Sequence, residues 1–148
     1  MESCVLRHGL VDSTNERPPA ANADGSARHG DVHVAEGQNA GRGRLGRNWA
    51  SASGEGLYLS LVLLPARAPN PAALTMAAGL AVLASVHALG ARAALLKWPN
   101  DVLVAGAKLA GILVEARGSD PARPHAVVGV GLNVLQRDFP RELLAERA

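Results

Sequence analysis

The sequence predicts an α/β (α+β) domain, in which strands and helices are layered around one core. Its 148 residues are a usual length for a single domain. Hydrophobic residues make up 48% of the chain and aromatic residues only 3%, so the core must be built from aliphatic side chains. Apolar runs of strand length also lie on both sides of a longer apolar stretch of helical length. We therefore expect one domain spanning residues 1–148.

The first half of the chain contains three strand candidates. They are residues 4–7, 31–38 and 57–64. The second candidate alternates Val32 and Val34 with polar neighbours, and the third is a continuous apolar run. Residues 16–30 are rich in Pro, Ala, Asn and Gly and predict a loop that includes at most one helical turn. Residues 39–56 are glycine-rich and long for a passive connection, which predicts a functional loop.

A helix is predicted from Pro71 to a stop at Gly90. Asn70 can cap its first turn, where a proline is also well tolerated. This stretch is the longest apolar segment, but polar residues interrupt it, so we expect a buried helix rather than a membrane span.

The second half of the chain predicts four more strands and a final helix. The strands are residues 94–97, 102–104, 109–115 and 126–134. Ala105, Gly106 and Ala107 form a tight turn between the middle two. The final helix is predicted to begin near Pro140.

Charge and cysteine content exclude several classes of protein. Fifteen basic and thirteen acidic side chains give a net charge of +2, which is too weak a global field to indicate a DNA or membrane partner. The single cysteine, Cys4, cannot form an intramolecular disulfide and fits a reducing compartment. The chain does not begin with the series of basic, apolar and small residues typical of a signal peptide. These features together predict a cytoplasmic protein.

The segment GRGRLGR, from Gly41 to Arg47, is the first candidate site. Arginine forks bind phosphate groups through two hydrogen bonds, and glycines let backbone N–H groups close around an anion. The segment therefore suits a polyphosphate or an acyl phosphate. A solvated basic loop, or a disordered RNA-binding tract, would have the same composition.

Two further segments carry polar residues at strand ends. In KWPND, Asn100 and Asp101 follow a proline and could hold a phosphate oxygen or a metal, although an ordinary turn has the same residues. In KLAGILVE, Lys108 could neutralise a carboxylate that attacks a phosphate, and Gly111 would let a flat ligand lie against the sheet. A surface lysine before a strand is the common alternative, and Glu115 is expected to be solvated and structural.

Two shorter segments complete the set. In VGVGLNV, Gly129 and Gly131 lie on the same side of a strand and open a slot for a ligand or for tight packing. The polar groups of DSTN, residues 12–15, could cap a helix or bind a ureido ring by matched donors and acceptors.

The order of these segments resembles one known family. From residue 12 to residue 134, DSTN, GQNAGRGRLGRNW, GLYLS, KWPND, KLAGILVE and VVGVGLNV follow the order and spacing of the biotin protein ligase catalytic domain. The resemblance implies a central mixed β-sheet flanked by helices, of the class II synthetase-like type. It also implies that biotin attacks the α-phosphate of ATP to give biotinyl-5′-adenylate and pyrophosphate. A lysine of a biotin carboxyl carrier protein then takes the acyl group.

The resemblance also assigns roles by position. Lys108, Arg42 and Arg44 would be catalytic. The biotin-binding residues would be Ser13, Thr14, Asn15, Gln38, Arg42, Gly43, Arg44, Trp49, Tyr58, Ser60, Lys108, Gly111, Leu113, Gly129 and Gly131. The residues for ATP and Mg²⁺ would be Arg42, Arg44, Arg47, Lys97, Asn100, Asp101 and Lys108, with Asn100 and Asp101 nearest the metal.

The chain departs from the family in length. Family members continue past the GVGLNV strand, so we expect a catalytic domain shortened at its C-terminus, with no C-terminal β-barrel and no N-terminal DNA-binding domain. Pairing of two copies through a sheet edge stays open. Three alternatives also remain: a lipoate ligase-like acyltransferase, an inactive shortened fragment, and a basic RNA-binding loop on a small domain.

Overall fold

The computed structural model describes residues 3–18, 25–117 and 124–140. Seven strands in this part of the chain form one sheet: β1 (Val5–Val11), β2 (Val32–Gln38), β3 (Gly56–Leu63), β4 (Leu95–Lys97), β5 (Asp101–Val104), β6 (Ala107–Arg117) and β7 (His125–Asn133). Helix α1 (Pro71–Ala88) lies between β3 and β4 in the chain, and short 3-10 turns occupy Thr14–Glu16 and Arg44–Gly46. Each predicted strand is present, and β1 and β6 are longer than predicted.

The sheet is mixed, as the sequence predicted. Its strand order is β1-β2-β3-β7-β6-β5-β4, with β1 parallel to β2 and the other neighbouring pairs antiparallel. The last strand in the chain, β7, therefore lies in the middle of the sheet, between β3 and β6. This position brings Gly129 and Gly131 to the centre of one sheet face.

Helix α1 covers the other face of the sheet. Asn70 Oδ1 accepts hydrogen bonds from the backbone N–H groups of Ala72 and Ala73, so the predicted cap is present. The helix ends just before Gly90, whose φ of 102° suits a glycine. Its inner face contributes Val86 to the core, and this core cluster also contains Ala94, Val102 and Ala110.

The outer face of α1 is exposed, and this corrects the expectation of a buried helix. Met76 and Leu80 remain 41% and 54% exposed on that face. By length and composition alone, α1 is also apolar enough to cross a membrane. In the structure its inner face packs against the sheet, while its outer face stays exposed because nothing in the described part of the chain forms a further layer over it.

The hairpin between β5 and β6 turns at two residues. Ala105 has a φ of 49° and Gly106 a φ of 79°, which are the positive values that a tight hairpin turn requires. Ala107 already belongs to β6. The final helix predicted from Pro140 lies outside the described residues.

A pair of histidines lies on the pocket side of β1 and β2. His8 Nε2 and His33 Nδ1 are 3.1 Å apart and share one hydrogen bond, and the two rings stack in nearly parallel planes. Burial lowers the pKa of both histidines, and the charge of Arg17 lowers both further. For His33 the neighbouring His8 also lowers the pKa, while Asp31 opposes the shift. The folded chain therefore favours the neutral form of both rings.

Acid should weaken the fold through this pair. Because the folded chain lowers both pKa values, the unfolded chain binds protons first as the pH falls below the ordinary histidine pKa of about 6.5. The contribution of the histidine pair to stability is fully present above about pH 6.5. It is lost as the pH falls through the lowered pKa of the folded chain. We expect the free energy of unfolding in urea to fall between about pH 7.5 and pH 5.5, with much less change in His33→Gln.

The control is His29→Gln, which changes an exposed histidine outside the pair, whose Nδ1 accepts a hydrogen bond from the Leu64 backbone N–H at 3.0 Å. It should keep the pH dependence of the unmodified chain. Equal slopes in all three proteins would contradict this account of the pair.

Candidate ligand pocket beneath an arginine-rich loop

A pocket lies on the sheet face opposite α1. Its floor is formed by β6 and β7, one wall by the turn at residues 13–16, and its cover by residues 39–55, which we call the lid loop. The lining residues are Ser13, Thr14, Asn15, Gln38, Arg42, Gly43, Arg44, Trp49, Asn100, Lys108, Gly111, Ile112, Leu113, Gly129, Val130 and Gly131. Fourteen of these sixteen positions were predicted as site residues; Ile112 and Val130 were not.

The glycines of the floor make room for two protein side chains. Gly111 and Gly131 are cross-strand partners on β6 and β7, and the indole of Trp49 lies over both. A Cβ atom at Gly111 would be 2.7 Å from Trp49 Cζ3, and one at Gly131 would collide with the same ring. A Cβ atom at Gly129 would collide with the amide of Asn15. The predicted slot is present, but in this structure Trp49 and Asn15 lie in it.

A chain of hydrogen bonds holds the turn at residues 13–16. Gln38 Oε1 accepts from the Thr14 backbone N–H at 2.8 Å, and Gln38 Nε2 donates to Ser51 Oγ at 2.7 Å. Ser60 Oγ lies within hydrogen-bonding distance of both Thr14 Oγ1 and Asn15 Oδ1. The wall is therefore tied to both β2 and β3 before any ligand binds.

The lid loop is more regular than its glycine content suggested. Residues 42 and 48 form an isolated antiparallel bridge, and Gly43 N–H donates to the Arg47 carbonyl at 2.7 Å. Leu45 and Gly46 have φ values of 57° and 74°, which reverse the chain between them. Because the Gly43 N–H is used inside this small hairpin, it does not face an anion.

Each of the three cations predicted as catalytic already has a partner. Arg42 contacts Glu16 Oε1 through Nη1 at 2.6 Å and Glu115 Oε2 through Nη2 at 2.8 Å. Arg44 Nη1 donates to Asn100 Oδ1 at 2.9 Å. Lys108 Nζ is 2.8 Å from Asp101 Oδ1 and 5.1 Å from the centroid of the Trp49 ring. The three cations thus approach one cavity from the lid loop and from β6.

Glu115 corrects one expectation from the sequence. It was expected to be solvated and structural; its carboxylate does accept structural hydrogen bonds from Asn15 and Arg42, but its side chain is only 24% exposed. The signal was available in the sequence, because alternation along a strand puts residues 111, 113 and 115 on one face. Glu16 is a second acidic residue at the site that the sequence analysis did not single out.

Five predicted site residues do not line the cavity. Arg47 and Lys97 are exposed. Asp101 lies outside the cavity lining, where its carboxylate contacts the Lys108 ammonium. Ser60 is fully buried behind the turn at residues 13–16. Tyr58 supports the lid loop by donating its hydroxyl to the Ala52 carbonyl, and burial together with the charge of Glu55 raises its pKa.

The described residues contain no group of three or more His, Cys, Asp or Glu that could hold a metal ion. Asn100 and Asp101 offer one amide oxygen and one carboxylate, and both oxygens already contact a cation. Such a donor set fits a magnesium ion that is held mainly by substrate phosphates. It does not fit a metal site built from protein ligands alone.

The fold and the pocket define a class of protein in which a basic loop covers a cavity on one face of a mixed sheet. The sequence profile of the Biotin/lipoate A/B protein ligase family matches residues 10–133. The chain belongs to this family, as its ordered segments predicted.

Individual relatives agree with this assignment. The chain is 48% identical over 129 residues to a biotin--[acetyl-CoA-carboxylase] ligase of Mycobacterium tuberculosis, a match that covers 84% of this chain and 47% of that protein. It is 37% identical over 139 residues to the bifunctional ligase/repressor BirA of Bacillus spizizenii, covering 90% of this chain and 42% of that protein. The chain thus spans less than half the length of either relative.

A solved structure shares the fold. The biotin protein ligase from Aquifex aeolicus in complex with biotin and ATP superposes with a TM-score of 0.79 at 36% identity. The match covers 97% of this chain and 57% of that one. The fold class predicted from the sequence is therefore confirmed.

The position of the Trp49 indole against Gly131 predicts the effect of adding one methyl group at that glycine. In Gly131→Ala the new Cβ would collide with the indole, so Trp49 should leave the slot, at a cost of about 1–3 kcal/mol in the free energy of unfolding. With Trp98→Phe as background, the fluorescence comes from Trp49 alone, because the chain has 2 tryptophans. We expect emission at longer wavelength and stronger quenching by acrylamide.

Gly9→Ala in the same background is the matched control, because no atom lies within 4 Å of a Cβ placed there. It should leave Trp49 emission unchanged. If Gly131→Ala also leaves the emission unchanged, the indole does not occupy the slot.

Proposed function

We propose that this chain activates biotin with ATP and passes the biotinyl group to a lysine of a biotin carboxyl carrier protein. One observation carries the proposal: Arg44 and Lys108 line the same cavity as the polar turn at residues 13–16. A carboxylic acid that binds with its ring at that turn would direct its carboxylate toward the two cations. The family to which the chain belongs, and the names of its relatives, support biotin as that acid.

The polar end of the pocket suits a ureido ring. A ureido group offers one carbonyl acceptor and two N–H donors. Ser13 and Thr14 place hydroxyl groups on the pocket wall, but the Thr14 hydroxyl already donates to Gln38 Oε1 at 3.2 Å and lies 2.8 Å from Ser60 Oγ. Asn15 is engaged as well, because its amide nitrogen donates to Glu115 at 2.8 Å. We therefore assign donation to the ring carbonyl to Ser13, with Thr14 as an acceptor for a ring N–H.

The cationic end suits the developing charge of phosphoryl transfer. In the first step, a biotin carboxylate oxygen bonds to the α-phosphorus as the bond to the leaving pyrophosphate breaks. Lys108 uses one contact on Asp101, and an ammonium has three N–H donors, so it can also reach the carboxylate and the α-phosphate. Arg44 can exchange the Asn100 amide for a phosphate oxygen, which binds an arginine more strongly.

Magnesium would act with the substrate. When bound, Mg²⁺ would neutralise charge on the polyphosphate. Asn100 and Asp101 are the residues that would contact it.

The second step needs access for the carrier lysine. Its neutral amine would attack the acyl carbonyl of the adenylate, form an amide and release AMP. The lid loop keeps water from the adenylate until then, because an enclosed mixed anhydride hydrolyses more slowly than an exposed one. This assigns the lid loop two tasks, closure during activation and opening for the acceptor.

Biotin-dependent exchange of labelled pyrophosphate into ATP tests the first step. We expect exchange by the unmodified chain and a loss of roughly 100-fold or more in Lys108→Ala, because the ammonium acts on the charge that develops at phosphorus. Arg92→Ala removes one positive charge from the exposed turn after α1 and should retain exchange.

Lipoate in place of biotin is the second arm. Exchange with lipoate and none with biotin would show that the chain activates lipoate instead of biotin. A folded chain that shows no exchange with either acid would contradict the proposal.

A further inference from the structure

Glu115 connects three parts of the site through one carboxylate oxygen. Its Oε2 accepts a hydrogen bond from Asn15 Nδ2 at 2.8 Å and another from Arg42 Nη2 at 2.8 Å. Asn15 lies in the turn after β1, Arg42 in the lid loop, and Glu115 on β6. The Glu115 side chain is 24% exposed and that of Arg42 is 38% exposed, so solvent screens their contact in part.

Arg42 is held at its other terminal nitrogen as well. Nη1 contacts Glu16 Oε1 at 2.6 Å, so both arms of the guanidinium fork point at carboxylates. One positive and two negative groups meet there, and a phosphate would have to displace a carboxylate from the same fork. Arg44 differs, because its partner Asn100 is a neutral amide and no carboxylate among the described residues forms a salt bridge with it.

We infer that Glu115 is a positioning residue that fastens Arg42, and with it the lid loop, over the pocket. Arg42 then holds the lid loop over the pocket, and Arg44 is the arginine of the lid loop that contacts the phosphate. Asn15 cannot move toward the sheet, because its amide already fills the space above Gly129. Loss of the Glu115 carboxylate should therefore release Arg42 while Asn15 stays in place. The inference relies on the proposed function for the identity of the ligand, but the fastening itself needs no substrate.

Limited trypsin digestion of the ligand-free chain tests the fastening. Trypsin cleaves after arginine, and the lid loop carries Arg44 and Arg47 besides Arg42, so the rates of cleavage after Arg44 and Arg47 report how often the loop opens. In Glu115→Gln we expect those rates to rise roughly threefold to tenfold, because the charged contact to Arg42 is lost. Mass spectrometry of the fragments separates these bonds from arginines elsewhere.

Glu36→Gln is the matched control, since it makes the same chemical change at an exposed position on β2. It should leave lid cleavage unchanged. If Glu115→Gln does not fold, Glu16→Gln breaks the other contact of Arg42 from the surface and carries the same expectation. Unchanged lid cleavage in a folded Glu115→Gln or Glu16→Gln chain would overturn the inference.

A double variant shows whether Glu115 acts through Arg42. Once Arg42→Gln has removed the fastener, adding Glu115→Gln should raise lid cleavage no further. Additive effects of the two substitutions would overturn the inference.

Kinetics separates the two lid arginines. In pyrophosphate exchange, Arg42→Gln should mainly raise the KM for biotin, whereas Arg44→Gln should mainly lower kcat. If Arg42→Gln lowers kcat at saturating biotin as much as Arg44→Gln does, Arg42 is a phosphate ligand and the inference fails. A chain that shows the lid response but binds no biotin would remove the proposed function and leave the fastening intact.

Discussion

The close contact of the Trp49 indole with the bare backbone of Gly111 and Gly131 is the packing on which the site depends. The two glycines are cross-strand neighbours, so together they leave a flat area at the centre of the sheet that no other residue type would leave. The lid loop is attached there through Trp49, and the same contact lays the indole beside Lys108. This one contact brings the arginines of the lid and the lysine of β6 to the same cavity.

The contact has an electrostatic cost as well as a packing gain. Trp49 Nε1 is buried, and no residue in the described part of the chain accepts its hydrogen. A buried donor without an acceptor costs about 1–3 kcal/mol, so a lid position that gives this N–H an acceptor would be favoured. The position of Trp49 is therefore tightly packed, while its N–H has no acceptor among the described residues.

Charge in the pocket is largely paired within the protein. Arg42 faces two carboxylates and Lys108 faces one, while Arg44 faces an amide. Pairing of this kind keeps three cations close together without strong mutual repulsion. Under the proposed function, an anion would gain most at the cation whose present partner is neutral. The first attraction for a phosphate is thus expected at Arg44.

Much of the fold could be read from local sequence. Alternation and apolar runs located the strands, and Asn70 with Pro71 located the start of α1. The exposure of the outer face of α1 could not be predicted, because Met76 and Leu80 on that face are as apolar as the inner residues. Burial of that face depends on whether a further layer packs against it.

Most residues that line the pocket could be predicted from the sequence, but the contacts among them were harder to predict. The segments named most of the pocket lining, since short strands with glycines and strand-end polar residues carry that information locally. That Trp49 would fill the slot, and that Glu115 would pair with Arg42, depends on residues far apart in the chain. Only the register of β6 against β7 and the path of the lid loop bring them together. The roles assigned to individual side chains stay predictions.

The central claim is that a biotin carboxylate attacks the α-phosphorus of ATP inside this pocket. Biotin labelled with ¹⁸O in its carboxyl group, incubated with the chain, ATP and an acceptor carrier domain, tests the claim directly by mass spectrometry of the nucleotide. The account predicts that AMP carries one labelled oxygen, because the carboxyl oxygen that bonded to phosphorus stays with AMP when the lysine takes the acyl group. Label in inorganic phosphate together with ADP, or biotinylated carrier formed with unlabelled AMP, would contradict it.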